Sequence, residues 1–249
     1  MSEYGFIPLR IPEEINESDN ELSTTILASP DWQTATRLLL IIQNSSGSLI
    51  GICSRSACFD HGLSKGTWLP YIQKARDHGY AVLLLRPNTN FITNIDGEKL
   101  PIKGSETPEI HALNVWTNIV PKAENVSHIA LLGFGNGAIL CKDLFLSELV
   151  SDDSRKNAKI KALVTIGASH LVEKDDDADT KVLLGGLAVN LESNEAPIGY
   201  ILGYRRKQLG CASVSLGLPP GQSEFSGDAL AVHMALEPVF RCLNAYYQF

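Results

Sequence analysis

No stretch of this 249-residue chain is apolar for long enough to cross a bilayer. A spanning helix takes about 20 apolar residues, and runs such as Leu38–Ile42 fall far short of it. No basic region leads into an apolar one after Met1-Ser-Glu-Tyr-Gly5, so neither a secretory leader nor a membrane anchor is expected. The expected location is nucleus and cytoplasm. Clustered positive charge is scarce as well: the net charge is -7, and the tight basic group is Arg205-Arg206-Lys207. Phosphate backbones are held mainly by clustered Lys and Arg, so no direct nucleic-acid binding is expected, while contact through a basic partner stays open. The five cysteines of an intracellular chain read as free thiols. Cys53, Cys58 and His61 lack a second ligand pair at finger-like spacing, which argues against zinc. Asp175, Asp177 and Asp179 open like a calcium loop. Thr180 then stands where the loop needs Gly, and Gly186 where it needs Glu, so calcium is not expected either. No cofactor is predicted.

What is present is an α/β pattern. With 44% apolar residues the chain suits one domain with a large core. Residues 1–30 are rich in Glu, Ser and Asn with scattered prolines and read as an irregular N-terminal arm, leaving residues 31–249 as the domain. Arg37–Gln43, Tyr80–Arg86, His128–Leu132, Ile160–Ile166, Gly186–Leu191 and Cys211–Leu216 read as buried strands, the unbroken apolar runs favouring parallel pairing. Between them, Thr67 and Thr107 stand as helix caps, with Pro70 and Pro108 in the first turns. Trp68, Ile72 and Ala75 share one helical face, and Ile110, Leu113, Trp116 or Thr117, and Val120 follow at helical spacing. Residues 44–66 read as a long loop, 87–103 as a polar insertion and 171–181 as an acidic surface loop. A closing helix from about Asp228 to Tyr247 turns Leu230, Met234, Phe240 and Leu243 inward, with a kink expected at Pro238. The predicted fold is a doubly wound, mostly parallel sheet in a single α/β domain.

The stretch that organises the chain is Ile129-Ala-Leu-Leu-Gly-Phe-Gly-Asn-Gly-Ala138. A strand that turns sharply into a helix between alternate glycines is the setting of the nucleophile elbow, Gly-x-Ser-x-Gly, of α/β hydrolases. Gly133 and Gly137 keep that frame, but Gly135 occupies the position of the serine. Acyl transfer of this kind needs a hydroxyl or thiol beside a base, and glycine offers neither. Gln43 to Gly47 would stand where such enzymes carry an oxyanion-hole amide, and Ser193–Gly199 where they carry their acid.

Several stretches together resemble the argonaute-binding protein two domain family. They are Ile41-Ile-Gln-Asn-Ser45, Gly66-Thr-Trp-Leu-Pro-Tyr-Ile-Gln-Lys-Ala75, His78-Gly-Tyr-Ala-Val-Leu-Leu-Leu-Arg-Pro-Asn88, Pro101-Ile-Lys-Gly-Ser-Glu-Thr-Pro-Glu-Ile-His111 and Val115-Trp-Thr-Asn-Ile119, with the glycine-rich elbow. The Gly-Ser-Glu-x-Pro-Glu run is the most specific piece. The resemblance implies an α/β-hydrolase-like fold and a subunit of an argonaute siRNA chaperone complex. It would act in small-RNA-directed heterochromatin assembly, with argonaute and a second argonaute-binding subunit as partners. The domain also occurs in fungal class II histone deacetylases and in animal co-transcriptional regulators, so a histone-deacetylase-associated role is the alternative. Members with an apparent triad carry Ser at the position of Gly135 and a His-Glu pair after the last strand. Ser223 falls where that His would stand, and His233, the nearest other base, lies in the closing helix.

Gln43, Gly133, Gly135, Gly137 and Ser223 thus outline a vestigial hydrolase pocket in a non-catalytic, protein-binding chain. Residual esterase activity would need another nucleophile, such as Ser169 beside His170, or Cys141. The vacated pocket could instead hold a small ligand. For partner binding, the candidates are the N-terminal apolar residues Tyr4, Phe6, Ile7, Leu9 and Ile11 and the C-terminal Tyr246-Tyr-Gln-Phe249. Self-association stays open, since related domains are attached to oligomeric proteins.

Overall fold

Five parallel strand pairings carry the architecture, seen in a computed structural model that describes residues 5–13, 22–43, 49–149, 159–168, 178–203, 206–217 and 227–247. The strands are β1 (Ile7–Ile11), β2 (Thr24–Ala28), β3 (Arg37–Ile42), β4 (Ala81–Leu85), β5 (Phe91–Thr93), β6 (Lys99–Pro101), β7 (His128–Phe134), β8 (Ile160–Ile166), β9 (Ala188–Glu192) and β10 (Ala212–Ser215). The helices are α1 (Arg55–His61), α2 (Leu63–Gly66), α3 (Leu69–Asp77), α4 (Pro108–Asn114), α5 (Gly137–Leu149), α6 (Ala178–Leu187), α7 (Arg206–Leu209) and α8 (Gly227–Tyr247). The main sheet has the order β1-β2-β4-β3-β7-β8-β9-β10. From β4 through β10 its neighbours run parallel, whereas β1 pairs β2, and β2 pairs β4, antiparallel. The doubly wound, mostly parallel, α/β-hydrolase-like sheet expected from the sequence is therefore present.

The expectation of an irregular arm over residues 1–30 is corrected at two places, since Ile7–Ile11 and Thr24–Ala28 form an antiparallel extension of the sheet. Ile11 is buried while Ile7, Pro8 and Arg10 are exposed, as edge strands allow, so the run reads like a loop. Three readings of loops also change. Residues 55–66 of the expected long loop form α1 and α2, residues 91–93 and 99–101 of the polar insertion pair as a hairpin, and residues 178–181 begin α6. Gly186 belongs to that helix, so the strand begins at Ala188. Residues 171–177 of the acidic loop lie outside the described residues, with Asp175 and Asp177.

Two cores flank the sheet. On one face Trp68, which precedes α3, and Tyr71, Ile72 and Ala75 of α3 pack with Ala231, Val232, Ala235, Val239, Phe240 and Leu243 of α8. Leu230 and Met234 are half-buried rather than core, and Pro238 lies inside the helix. On the other face α5 brings Ala138, Leu140, Cys141, Leu144 and Phe145 beneath Leu38, Leu40 and Leu131. After Thr107 the expected spacing holds only in part: Val120 and half-buried Trp116 join this second core, but the earlier turns present another face. His111, Ala112, Val115 and Ile119 are buried, while Ile110 and Leu113 are exposed. A π-helical turn over Val115–Ile119 inserts an extra residue, so a single 3.6-residue period fails to describe it.

Tyr71 ties the first core together, its hydroxyl donating to the Val232 carbonyl at 2.6 Å from α3 to α8. Tyr71→Phe is expected to cost about 1 kcal/mol, or about 2–4 °C in Tm, measured by calorimetry.

Candidate functional site

Strand β7 delivers the chain to the elbow, and three glycines let it turn there. Gly135 sits at φ +54°, in the left-handed region, and its N–H donates to the Ile166 carbonyl at 3.0 Å. Helix α5 starts at once, with the Ala138 N–H donating to the Gly135 carbonyl at 3.1 Å. A Cβ on Gly133 would lie 2.6 Å from Ala138 Cα, and one on Gly137 would lie 2.2 Å from the Ile42 carbonyl oxygen. Backbone stands in both places, so neither glycine can be replaced without moving the helix away from the sheet. Gly133, Gly135 and Gly137 are thus brought together as the sequence predicts, and the residue at the apex carries no side chain.

Gln43 follows directly on Ile42, at the end of β3. Its side chain is fully buried and Oε1 accepts from the Gly51 N–H at 3.1 Å, which fixes the start of α1's approach loop. Its Nε2 is buried and has no hydrogen-bond partner among the described residues. Residues 44–47, the rest of the expected oxyanion segment, lie outside the described residues, as do Ser223, Ser169 and His170.

The other candidates take structural positions. Cys141 is fully buried, and burial, then Asp143, pushes its thiol well up, so it is held protonated beneath the sheet. His233 is half-buried on α8, with no partner for Nδ1 among the described residues; burial and then Lys65 lower its pKa. Burial raises the thiol pKa values of Cys53 and Cys58, and among the described residues no three His, Cys, Asp or Glu side chains are grouped to hold a metal.

Two polar clusters were not read from the sequence. The first crosses β8, β9 and β10. Asn190 Oδ1 accepts from Thr165 Oγ1 at 3.0 Å and from the Ala168 N–H at 3.1 Å, and Nδ2 donates to Glu192 Oε2 at 2.9 Å and Ser213 Oγ at 2.8 Å. Asn190 is thereby fully used. Glu192 ends β9, immediately before the loop where a hydrolase would carry its acid, and here its carboxylate is bound to the asparagine ladder. The signal was in the register: Thr165, Asn190 and Ser213 are direct cross-strand partners, each a polar residue inside an apolar run.

The second cluster explains the Gly-Ser-Glu-x-Pro-Glu run. Gly104 turns at φ +74°, and Asn114 Nδ2 donates to its carbonyl at 3.0 Å. Ser105 donates from Oγ to the Thr89 carbonyl at 2.9 Å, so the 2.9 Å contact with His111 Nδ1 places the proton on that ring nitrogen. Thr107 caps α4 by accepting from the Ile110 N–H at 3.2 Å. His111 is fully buried, Nε2 has no partner among the described residues, and its pKa falls to about 4, through burial first and then the nearby Arg86 charge. The run clips α4 to the turn after β4.

With these elements in place the chain is an α/β-hydrolase-like domain whose elbow carries glycine at the apex. It belongs to the Arb2 domain family, whose model matches residues 1–190. The human protein named ARB2BP is 27% identical over 177 residues, 59% of this chain and 48% of that one. The Xenopus tropicalis protein named cotranscriptional regulator ARB2A homolog is 22% identical over 216 residues, 67% of this chain and 50% of that one. The chain therefore spans about half the length of these two curated relatives. Among solved structures, a histone deacetylase from Saccharomyces cerevisiae superposes with a TM-score of 0.54 at 14% identity, over 97% of this chain and 90% of that one, a likeness of fold.

Gly137→Ala is expected to destabilise the fold by about 3 kcal/mol or more, because a backbone carbonyl cannot yield to the methyl group; denaturant titration measures it. His111 stays neutral when folded and takes a proton near pH 6.5 when unfolded. The unfolded state therefore binds more protons between about pH 6.5 and 4. Stability should fall by roughly 3 kcal/mol as pH drops through that window. His111→Gln should flatten this slope in unfolding titrations run at several pH values.

Proposed function

We propose that this chain is a non-catalytic, protein-binding subunit acting in nuclear chromatin or co-transcriptional regulation. The observation that carries the reading is Gly135 at the apex of the elbow, where no side chain is present to attack a substrate. Fold alone licenses no activity, and the buried, protonated Cys141 does not replace the missing nucleophile. Family membership and the regulator name of the Xenopus relative support the nuclear role.

In its finer form, the reading makes the chain a subunit of an argonaute siRNA chaperone complex in small-RNA-directed heterochromatin assembly. Its partners are argonaute and a second argonaute-binding subunit. This form rests on the sequence resemblance. The net charge of -7 supports contact with RNA through those partners rather than directly. A histone-deacetylase-associated role is the second branch of the same reading.

Mass spectrometry of the tagged chain purified at native abundance is expected to recover argonaute and one further subunit stoichiometrically. Stoichiometric recovery of a histone deacetylase instead would move the protein to the second branch. Recovery of the chain alone would contradict the binding role. In the same preparations, Gly135→Ser should hydrolyse no p-nitrophenyl ester above buffer.

A further inference from the structure

The turn after β4 and the clip that holds α4 meet around polar side chains that the chain itself leaves without partners. Asn90 ties the two segments together. Its Nδ2 donates to the Pro87 carbonyl at 2.7 Å and to the Ser105 carbonyl at 2.8 Å, and its own carbonyl accepts from the Ile102 N–H at 2.9 Å. Ser105 Oγ in turn reaches the Thr89 carbonyl and His111 Nδ1, both at 2.9 Å. This frame stands at the carboxyl end of β4, a parallel strand of the sheet, and ligands of open α/β sheets bind at such ends.

Three groups in the frame are left over. With its proton on Nδ1, the fully buried His111 ring presents a lone pair at Nε2, to which no described residue donates. The Thr89 hydroxyl is buried and has no partner among the described residues. Arg86, directly after the last residue of β4, is half-buried and has neither a hydrogen bond nor an ion pair among the described residues. Its charge is felt at His111, while the clip carboxylates Glu106 and Glu109 are exposed. Buried polar groups are nearly always paired, and a guanidinium recognises oxyanions through its fork of N–H donors. A carboxylate or a sulfate would satisfy Arg86 and Thr89 but brings no hydrogen to His111 Nε2. A phosphate group does, because below its second pKa of about 6 one of its oxygens is a hydroxyl. His111 suits that contact, since its own pKa of about 4 keeps Nε2 an acceptor there.

We propose that Arg86, Thr89 and His111 form a binding site for a phosphate group. Arg86 and the Thr89 hydroxyl donate to its oxygens, and its P–OH donates to His111 Nε2. Half-buried Arg86 is the side open to solvent and fully buried His111 the closed side, so the anion enters past the guanidinium.

Calorimetric titration of the full chain with inorganic phosphate, O-phosphoserine and sulfate at about pH 6 and constant ionic strength tests the site, because phosphate still carries its proton there and sulfate carries none. Phosphate or phosphoserine should bind saturably and at least about tenfold more tightly than sulfate. Tighter binding of phosphoserine assigns the site to a phosphorylated side chain, and equal or weaker binding assigns it to the free anion. Arg86→Gln breaks no contact within the chain and should weaken phosphate binding at least about tenfold. Thr89→Val removes a hydroxyl that has no partner, so Tm should stay within about 2 °C while binding weakens about threefold or more. Arg76→Gln takes the same charge from an exposed position on α3 and should leave binding unchanged. The inference falls if neither phosphate nor phosphoserine binds saturably, or if sulfate binds as tightly as phosphate. It falls as well if Arg76→Gln weakens binding as much as Arg86→Gln does, since the attraction would then be one of general charge.

Discussion

The approach of Gly137 to the Ile42 carbonyl is the contact on which the rest of the structure depends. It sets how closely α5 lies against β3 and β7, the two central strands, and so where the whole second core begins. The positive φ of Gly135 turns the chain into that helix, and Gly133 leaves room for Ala138 to pack behind it. In a hydrolase the same frame would hold a serine at the apex. Here close packing alone accounts for the glycines at 133 and 137, and the apex carries only its backbone.

The surroundings of the elbow follow the same logic. At the end of β9, where an acid would orient a histidine, Glu192 is tied to Asn190, whose four hydrogen-bonding sites are all used within β8, β9 and β10. Buried polar groups satisfied this completely rigidify a sheet and leave little freedom for proton transfer. The clip formed by Gly104, Ser105 and His111 does the same for α4, and gives a physical meaning to a run that sequence resemblance singled out without explaining.

Six buried strands and the helices near Pro70 and Pro108 were legible because apolar runs, caps and prolines are local signals. Thr107 caps its helix as expected, whereas Thr67 does not: α3 starts after Trp68 and Thr67 closes α2. The edge strands were not: Ile7–Ile11 is short, contains Pro8 and turns much of its length outward, so its composition resembles a loop. The inward face of α4 was misread because the π-helical turn at Val115–Ile119 depends on packing that no single period encodes. At the site, the three glycines were read directly, since spacing alone defines the elbow. The Thr165–Asn190–Ser213 ladder was missed because it exists only once the register of three strands is known.

The central claim is that this hydrolase-like frame has no nucleophile. Reaction of the native protein with a fluorophosphonate probe, read by intact mass, tests it most directly, because such probes mark only a serine activated by a base. The account predicts no adduct at any serine under conditions that fully label an active esterase. A stoichiometric adduct, abolished by replacing the labelled serine with alanine, would contradict it and return the protein to the enzymes.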